Sequence, residues 1–258
     1  MRVGKASGQV MVCVVTAGAA FPGSRNFVSA LRRKAAEQGI EITTVVQNIN
    51  PRRTSAVLGS AEKVLFGPGS ITDTLCGLEF SISARSFYQV NPVQTEVLYR
   101  TAIDLAGLDG TQTVIDAYCG IGTIGLCAAA RARAVLGVEV NAAAVRDAAA
   151  NARRNGLTNA RFLCADAAEY MAQLADEGTR PDLVFLDPPR QGSTPAFIHA
   201  LARMAPPRAV YVSCDPDTLA RDLALFEKGG YRALIAQPVD MFPHTEHVET
   251  VCLLSRNK

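Results

Sequence analysis

Three features are missing from the 258-residue sequence: a long apolar run, a signal peptide and a cysteine framework. No uninterrupted apolar stretch reaches the roughly 18 residues that a transmembrane helix needs, and the first residues contain no apolar signal core. The seven cysteines are scattered without a Cys-x-x-Cys spacing, so neither disulfides nor a metal or iron–sulfur centre is predicted. With 48% hydrophobic residues and no low-complexity segment, the sequence predicts a folded protein of the cytoplasm.

A strong charge imbalance is also missing, since the formal net charge is only +2. Residues 1–80 contain nine Lys and Arg against five Asp and Glu, a net charge of +4, which leaves −2 for residues 81–258. The basic runs Arg32-Arg33-Lys34 and Arg52-Arg53 could contact phosphates. A solvated helix face accounts for them more simply, so charge alone does not identify a partner.

Apolar and polar segments alternate regularly from residue 111 onward. They predict strands separated by amphipathic helices, a pattern typical of an α/β fold with a Rossmann-like, mostly parallel sheet. Because no helix separates the last two predicted strands, one of them should run antiparallel. Residues 1–80 have a strand–helix–strand–strand pattern and are predicted to form a small N-terminal α+β lobe, with residues 81–258 as the main domain. The predicted strands of the main domain are 113–117, 134–140, 160–164, 183–186, 209–213, 232–238 and 247–254.

A glycine-rich turn follows the first strand of the alternating region, at Gly120-Ile121-Gly122-Thr123-Ile124-Gly125. Glycines let the backbone approach a ligand closely. Glu139 ends the next strand about 20 positions later, a spacing that suits a carboxylate bound to a ribose, and Asp166 after the third strand could contact an adenine. The glycine spacing also fits a dinucleotide, but Asp116 would repel a pyrophosphate and suits a cationic sulfonium. S-adenosylmethionine is therefore preferred over NAD.

Two neighbouring strands of the predicted sheet end in a reactive side chain followed by proline. One runs into Asp187-Pro188-Pro189-Arg190, and the next runs into Cys214-Asp215-Pro216. Consecutive prolines lack N–H donors and fix φ, which makes a rigid loop able to position a planar substrate. A nucleophilic cysteine reacts as the thiolate, and we expect the N-terminus of the helix that begins near Pro216 to lower the pKa of Cys214.

Glu249 stands in a final strand that is otherwise apolar, which makes it a candidate general base. His244 and His247 in the preceding loop are alternatives. A loop histidine without further support is more often a surface group, so both rank below Glu249.

Several of these motifs occur in an order that resembles the RNA uracil-5-methyltransferase family, most closely the bacterial enzymes that make 5-methyluridine in 23S ribosomal RNA. The similarity extends over essentially the whole chain. It implies a class I methyltransferase domain that uses S-adenosylmethionine and acts on RNA, and we expect a monomer. The motifs that carry the resemblance are Phe87-Tyr88-Gln89-Val90-Asn91-Pro92, Asp116-Ala117-Tyr118-Cys119-Gly120-Ile121-Gly122-Thr123, Asp187-Pro188-Pro189-Arg190, Ser213-Cys214-Asp215-Pro216 and His244-Thr245-Glu246-His247-Val248-Glu249.

The resemblance also implies roles for individual residues. Cys214 would add to carbon 6 of the uracil, which activates carbon 5 for methylation, and Glu249 would remove the proton from carbon 5. The base would have to be unpaired or flipped out of a duplex to react. The residues expected to contact S-adenosylmethionine are Gln89, Tyr118, Gly120, Glu139, Asp166 and Asp187.

Two features usual in the family are missing, namely an N-terminal RNA-binding barrel and the cysteine cluster of an iron–sulfur centre. We therefore expect a region upstream of Met1 to be absent from this chain, and we expect the chain to bind RNA weakly. A gene that encodes nothing upstream of Met1 would refute the first expectation.

Other functions remain open. A transfer RNA uridine is an alternative substrate. RNA cytosine-5 methyltransferases share the cysteine chemistry but usually carry a second cysteine where this chain has Pro189, and amine methyltransferases carry an aromatic residue where it has Arg190. An NAD-dependent oxidoreductase, or a non-catalytic RNA-binding module, would leave Cys214 and Glu249 without a role.

Overall fold

The computed structural model describes residues 1–52 and 57–257. Its internal contacts divide the chain into one unit of Met1–Tyr88 and another of Gln89–Lys258. The boundary predicted after residue 80 therefore lies after Tyr88 in the structure. Arg53, from one of the two basic runs, lies outside the described residues. Within those residues no helix is both long and apolar enough to cross a membrane.

The first unit contains a mixed sheet, a helix and a separate hairpin. The sheet has the order β1-β2-β3-β4, with β2 and β3 parallel and the other two pairs antiparallel. Val28 of the helix packs with Val10 and Val45 of the sheet to form a small core. The basic run Arg32-Arg33-Lys34 is exposed on this helix, as expected of a solvated face. The elements are β1 (Arg2–Val3), β2 (Val10–Thr16), α1 (Ser24–Ala36), β3 (Ile42–Ile49), β4 (Ala61–Phe66), β5 (Ser70–Leu75) and β6 (Leu78–Ser83).

The hairpin of β5 and β6 is joined to the first unit through Asp73, which is 2% exposed. Its carboxylate accepts hydrogen bonds from the backbone N–H groups of Lys5, Ala6 and Ser7 at 3.0, 2.8 and 3.3 Å. These bonds tie the hairpin to the start of the chain, which explains why the first unit extends beyond residue 80.

The second unit is an α/β domain with a seven-stranded sheet, which confirms the predicted fold class. Its elements are α2 (Pro92–Ala106), β7 (Thr113–Ala117), α3 (Thr123–Ala129), β8 (Ala134–Glu139), α4 (Ala142–Arg154), β9 (Ala160–Cys164), α5 (Ala167–Asp176), β10 (Leu183–Leu186), α6 (Pro195–Met204), β11 (Arg208–Ser213), α7 (Pro216–Lys228), β12 (Tyr231–Val239) and β13 (Glu249–Arg256). The strand order is β12-β13-β11-β10-β7-β8-β9. All pairs from β11 to β9 are parallel, whereas β13 is antiparallel to both of its neighbours. The antiparallel strand expected near the end of the chain is thereby confirmed.

Side chains along each strand point alternately to the two faces of this sheet, so the two faces contact different elements. Ile115, Val184 and Tyr211 belong to a core that also contains apolar residues of α5, α6 and α7. Burying each such side chain stabilises the fold by about 1.5–3 kcal/mol. Because successive strand residues point to opposite faces, Asp116 points away from this core, and there it meets the backbone of Gly125 in α3.

Candidate active site

The parallel strands of the second unit end at one edge of the sheet, and the candidate catalytic residues lie there. Ser213, the last residue of β11, pairs with Thr250 of antiparallel β13. Cys214 follows Ser213 and Glu249 precedes Thr250, so both candidates stand at the end of the same strand pair. Asp187 follows β10, which pairs with β11 on one side and β7 on the other. The topology thus gathers a thiol and two carboxyl groups that are far apart in the sequence.

The two carboxyl groups of this edge are weaker acids than usual. Burial raises the pKa of Asp187 well above its ordinary value, and the charges of Glu249 and Asp116 raise it further. Burial also raises the pKa of Glu249, which is 4% exposed, while the guanidinium of Arg190 lowers it. A carboxylate with a raised pKa accepts a proton more readily near neutral pH, so Glu249 has the character of a general base.

Cys214 is half-buried at the same edge. Burial raises the pKa of its thiol, and the charges of Glu249 and Asp187 raise it further, whereas Arg190 lowers it. Since only the thiolate is nucleophilic, this site holds Cys214 in its thiol form until a proton acceptor or additional positive charge is supplied.

The lowering of the Cys214 pKa by the N-terminus of α7 stays a prediction, and the net pKa of this thiol is raised in the folded chain. The first N–H groups of this helix, those of Asp217 and Thr218, donate to the side chain of Asp215 at 3.1 and 2.9 Å. This N-cap satisfies the free donors with a negatively charged group. The charged side chain that lowers the pKa of the thiol is that of Arg190.

The glycine-rich turn between β7 and α3 has positive φ at Tyr118 (63°), Gly120 (55°) and Gly122 (82°). A Cβ added at Gly122 would lie 2.9 Å from the ring of Phe162, so packing requires that glycine. Gly120 differs, because a Cβ there would meet no atom of the described residues within 4 Å. The space beside Gly120 is therefore open to a ligand.

Glu139 lies against this turn at the end of β8. The backbone N–H of Gly120 donates to Oε2 at 3.1 Å, and that of Asn141 donates to Oε1 at 2.7 Å. Each carboxylate oxygen keeps a further acceptor position. The carboxylate is therefore oriented by the backbone and can still accept hydrogen bonds from two adjacent hydroxyl groups.

Asp116 lies beneath the turn and is only 1% exposed. Its Oδ2 accepts a hydrogen bond from the N–H of Gly125 at 2.8 Å, while Oδ1 has no hydrogen-bond partner among the described residues. Burial raises the pKa of Asp116 to about 7, against the opposing effect of the Gly125 bond and with help from the charge of Glu139. Asp116 therefore anchors the start of α3. Because it lies beneath the turn, its charge would act on the charge of a bound ligand from that side.

The remaining residues predicted to bind the cofactor have separate local roles. Tyr118 is half-buried, with its ring centroid 5.3 Å from that of Phe197 and its hydroxyl 3.3 Å from Oγ of Ser193. Asp166 caps α5, since its Oδ1 accepts two N–H bonds of the first turn at 2.9 and 3.0 Å. Gln89 is 9% exposed and precedes α2. Capping of α5 is enough to explain an aspartate at position 166, so the contact of Asp166 with an adenine stays a prediction.

Sequence reasoning missed a contact that fixes the segment leading to Glu249. Asn91 caps α2 by accepting a hydrogen bond from the N–H of Gln94, and its Nδ2 donates to the carbonyl of Met241 at 3.1 Å. The Asn91-Pro92 dipeptide is a recognisable N-cap signal. Nothing in the sequence connected it to Met241, because that contact depends on where β12 ends.

The two alternative bases lie in exposed positions. His244 has φ of 66° in the loop before β13, and Nδ1 of His247 lies 2.7 Å from Nη2 of Arg190. Glu249 is the buried acceptor, which favours it over both histidines. Across residues 1–52 and 57–257, no group of three or more His, Cys, Asp or Glu side chains is arranged to hold a metal ion.

An α/β sheet with a glycine turn after its first parallel strand and carboxylates at the next strand ends is built to bind a nucleoside-containing cofactor. Solved S-adenosylmethionine-dependent methyltransferases share this fold. One from Agrobacterium tumefaciens aligns with a TM-score of 0.60 and 16% identity over 86% of this chain and 80% of its own. The second unit therefore has the same class of fold as these methyltransferases.

The chain belongs to the tRNA (uracil-5-)-methyltransferase family, whose model matches residues 63–257. The predicted family is thereby confirmed. The chain is 46% identical to an uncharacterized RNA methyltransferase of Halalkalibacterium halodurans over 98% of its length and 54% of the relative. A Listeria innocua relative of the same description is also 46% identical, over 98% of this chain and 55% of the relative. The chain thus spans about half the length of the curated relatives it matches.

A solved structure similar to this chain is that of the tRNA (uracil-54, C5)-methyltransferase of Pyrococcus abyssi in complex with S-adenosyl-L-homocysteine. It aligns with a TM-score of 0.80 and 31% identity over 98% of this chain and 58% of that chain.

Proposed function

We propose that this chain carries the methyl-transfer site of an RNA uracil-5-methyltransferase, which moves a methyl group from S-adenosylmethionine to carbon 5 of a uridine in 23S ribosomal RNA. The observation that carries the proposal is the position of Cys214 and Glu249 at the end of one strand pair, on the edge that also holds the open glycine turn. Membership of a uracil-5-methyltransferase family supports the choice of base.

The residues around the glycine turn fit S-adenosylmethionine. The open space at Gly120 leaves room for the nucleoside, and the oriented carboxylate of Glu139 can accept bonds from the ribose hydroxyls. When bound, this cofactor supplies the methyl group and a sulfonium positive charge. The similar Pyrococcus abyssi enzyme was solved with S-adenosyl-L-homocysteine, which supports the assignment. The other proposed contacts are Gln89, Tyr118, Asp166 and Asp187.

Cys214 acts first in the proposed reaction. Its thiolate forms a bond to carbon 6 of the uracil, and the electron pair of the ring double bond moves to give an enolate with a nucleophilic carbon 5. Thiolate formation is opposed by burial and by the charges of Glu249 and Asp187, and it is favoured by Arg190. Arg190 is therefore the charged side chain that stabilises the reactive form of the nucleophile, beside a hydrogen bond from the backbone at Cys214.

Glu249 acts last. After carbon 5 has gained the methyl group, the carboxylate takes the proton from carbon 5, the ring double bond re-forms, and the bond from sulfur to carbon 6 breaks. Its burial raises its pKa and so strengthens it as a proton acceptor. The position of Glu249 beside Cys214 allows the proton and the leaving thiolate to depart from adjacent ring carbons.

Trapping with a fluorinated substrate tests this mechanism. We expect RNA containing 5-fluorouridine to form a covalent complex with the protein in the presence of S-adenosylmethionine, because fluorine at carbon 5 cannot leave as a proton. Cys214→Ala should abolish the complex. Cys13→Ala is the matched control, since Cys13 is also half-buried but lies in the first unit. A complex that survives Cys214→Ala, or that never forms with 5-fluorouridine-containing RNA of the target sequence, would refute the mechanism.

A transfer RNA is the second candidate substrate. It is favoured by the Pyrococcus abyssi structure, which is that of a tRNA (uracil-54, C5)-methyltransferase. Labelled methyl transfer to unmodified transcripts of 23S ribosomal RNA and of transfer RNA distinguishes the two. Label in the ribosomal transcript at one mapped uridine supports the first proposal, and label in transfer RNA alone supports the second.

A further inference from the structure

Asp222 on α7 is a fully buried carboxylate with four hydrogen bonds. Its Oδ2 accepts from the backbone N–H of Ser193 and from the hydroxyl of Tyr211, each at 2.7 Å. Its Oδ1 accepts from Nε and Nη2 of Arg221 at 2.9 and 2.7 Å. Charge-assisted bonds of this kind are strong, and a buried carboxylate that loses them is costly. The position of Ser193 is therefore fixed relative to α7.

The backbone before Ser193 lies directly on the Arg221–Asp222 pair. Nη2 of Arg221 also donates to the carbonyl of Gln191 at 2.8 Å. Gly192 has φ of 76°, and a Cβ there would lie 2.5 Å from Nη2 of Arg221 and 2.6 Å from Oδ2 of Asp222. This loop, residues 191–193, packs against the pair so closely that only glycine fits at its centre.

Both ends of this arrangement lead into the active site. The helix that carries Asp222 begins at Pro216, two residues after Cys214. The loop that Asp222 holds begins immediately after Arg190, whose charge lowers the pKa of both Cys214 and Glu249.

The other end of the loop reaches the predicted cofactor site. Ser193 donates its N–H to Asp222. The Oγ atom of Ser193 lies 3.3 Å from the hydroxyl oxygen of Tyr118. One buried carboxylate thus connects the segment of the nucleophile, the segment of its activating cation and a residue of the glycine turn.

We propose that Asp222 is a positioning residue of this site: its carboxylate locks the loop 191–193 onto α7 and so holds Arg190 next to Cys214. The inference rests on the proposed function, because it assigns Arg190 the task of stabilising the Cys214 thiolate. It adds a residue that touches neither substrate nor cofactor and acts through the loop it holds.

Asp222→Asn is the primary test. Asparagine keeps the size of the side chain and one oxygen for Ser193 or Tyr211, but it brings an NH₂ group against the donors of Arg221. We expect adduct formation with 5-fluorouridine RNA to slow by about 100-fold, the loss that a small misplacement of a catalytic group can cause. The pH profile of the rate should also move to higher pH, because Cys214 loses the nearby positive charge.

The double variant of Asp222→Asn with Arg190→Ala separates positioning from a general structural role. If Asp222 acts through Arg190, the two losses are not additive, and Asp222→Asn changes the rate little once Arg190 is absent. Asp73→Asn is the control, since Asp73 is another buried carboxylate that accepts backbone N–H bonds but lies in the first unit. It should leave the pH profile unchanged.

The outcomes separate failure of this inference from failure of the proposed function. If the parent protein forms no Cys214 adduct, the proposed function and this inference are both refuted. If the parent forms the adduct and Asp222→Asn keeps the same pH profile, or its loss adds fully to that of Arg190→Ala, Asp222 is only structural. Should Asp222→Asn not fold, Tyr211→Phe removes a single donor to the same oxygen, and the pH profile of that variant decides in the same way.

Discussion

Replacing Asp116 by asparagine tests whether the glycine turn is built on a carboxyl group that resists ionisation. The pKa of Asp116 is about 7 in the folded chain, against 3.8 for the ordinary group. The folded state therefore binds a proton more tightly than the unfolded state does. Stability from this group is fully present below pH about 3.8 and is lost as the pH rises to about 7.

The difference between the two pKa values corresponds to roughly 4 kcal/mol, at 1.36 kcal/mol per tenfold change in proton affinity. Asparagine cannot ionise, and its oxygen can still accept the N–H bond of Gly125. The unfolding free energy of Asp116→Asn relative to the parent should therefore rise by roughly 4 kcal/mol between about pH 4 and about pH 8.

Urea denaturation followed by circular dichroism at a series of pH values measures this difference. Asp182→Asn is a control of opposite sign, because bonds from the N–H and hydroxyl of Thr113 lower the pKa of Asp182. The parent protein loses the stabilisation that comes from Asp182 as the pH falls, not as it rises. A difference between Asp116→Asn and the parent that does not change with pH would show that Asp116 is ionised at no cost in the folded chain.

Three further predictions concern the site and its turn. Glu249→Gln should still form the bond between Cys214 and carbon 6 but fail to remove the proton, so a methylated covalent complex should accumulate on ordinary uridine RNA and be visible by mass spectrometry. S-adenosylmethionine should speed alkylation of Cys214 by iodoacetamide near neutral pH, whereas S-adenosylhomocysteine, which lacks the positive charge, should not. Gly122→Ala should destabilise the fold by about 1–3 kcal/mol because of its positive φ and the contact with Phe162. Gly156→Ala, also at positive φ but with open space around it, should cost less in the same melting assay.

The strands and helices of the second unit follow from the sequence because each is a continuous apolar or amphipathic segment bounded by polar turns. Strand β5 does not. Its sequence, Ser70–Leu75, places Asp73 at a buried position between Ile71 and Leu75. That aspartate is satisfied by backbone groups of residues 5–7, more than 60 positions earlier. A local pattern cannot reveal such a partner, so the buried aspartate argues against a strand when the sequence is taken alone.

The cap at the α7 N-terminus could be predicted from the sequence. The sequence Cys214-Asp215-Pro216 already contained an N-cap aspartate followed by proline at the first helical position, a recognised start of a helix. A helix capped by a carboxylate does not present free donors or an uncompensated positive end to its neighbour. The residues were sufficient to predict the cap, which places the negative charge of Asp215 at the start of the helix that follows Cys214.

The pairing of nucleophile and base depends on strand order, which the sequence does not contain. Glu249 was recognisable as a carboxylate out of place in an apolar strand, but only the family resemblance, not the strand pattern, paired it with Cys214. Only because β13 lies between β11 and β12, and runs antiparallel to both, does its first residue reach the edge where β11 ends. A parallel β13 would have placed Glu249 at the opposite edge, away from Cys214. The reversal of this one strand is thus the structural condition that the proposed mechanism needs for addition at carbon 6 and proton removal at carbon 5 to occur on the same base.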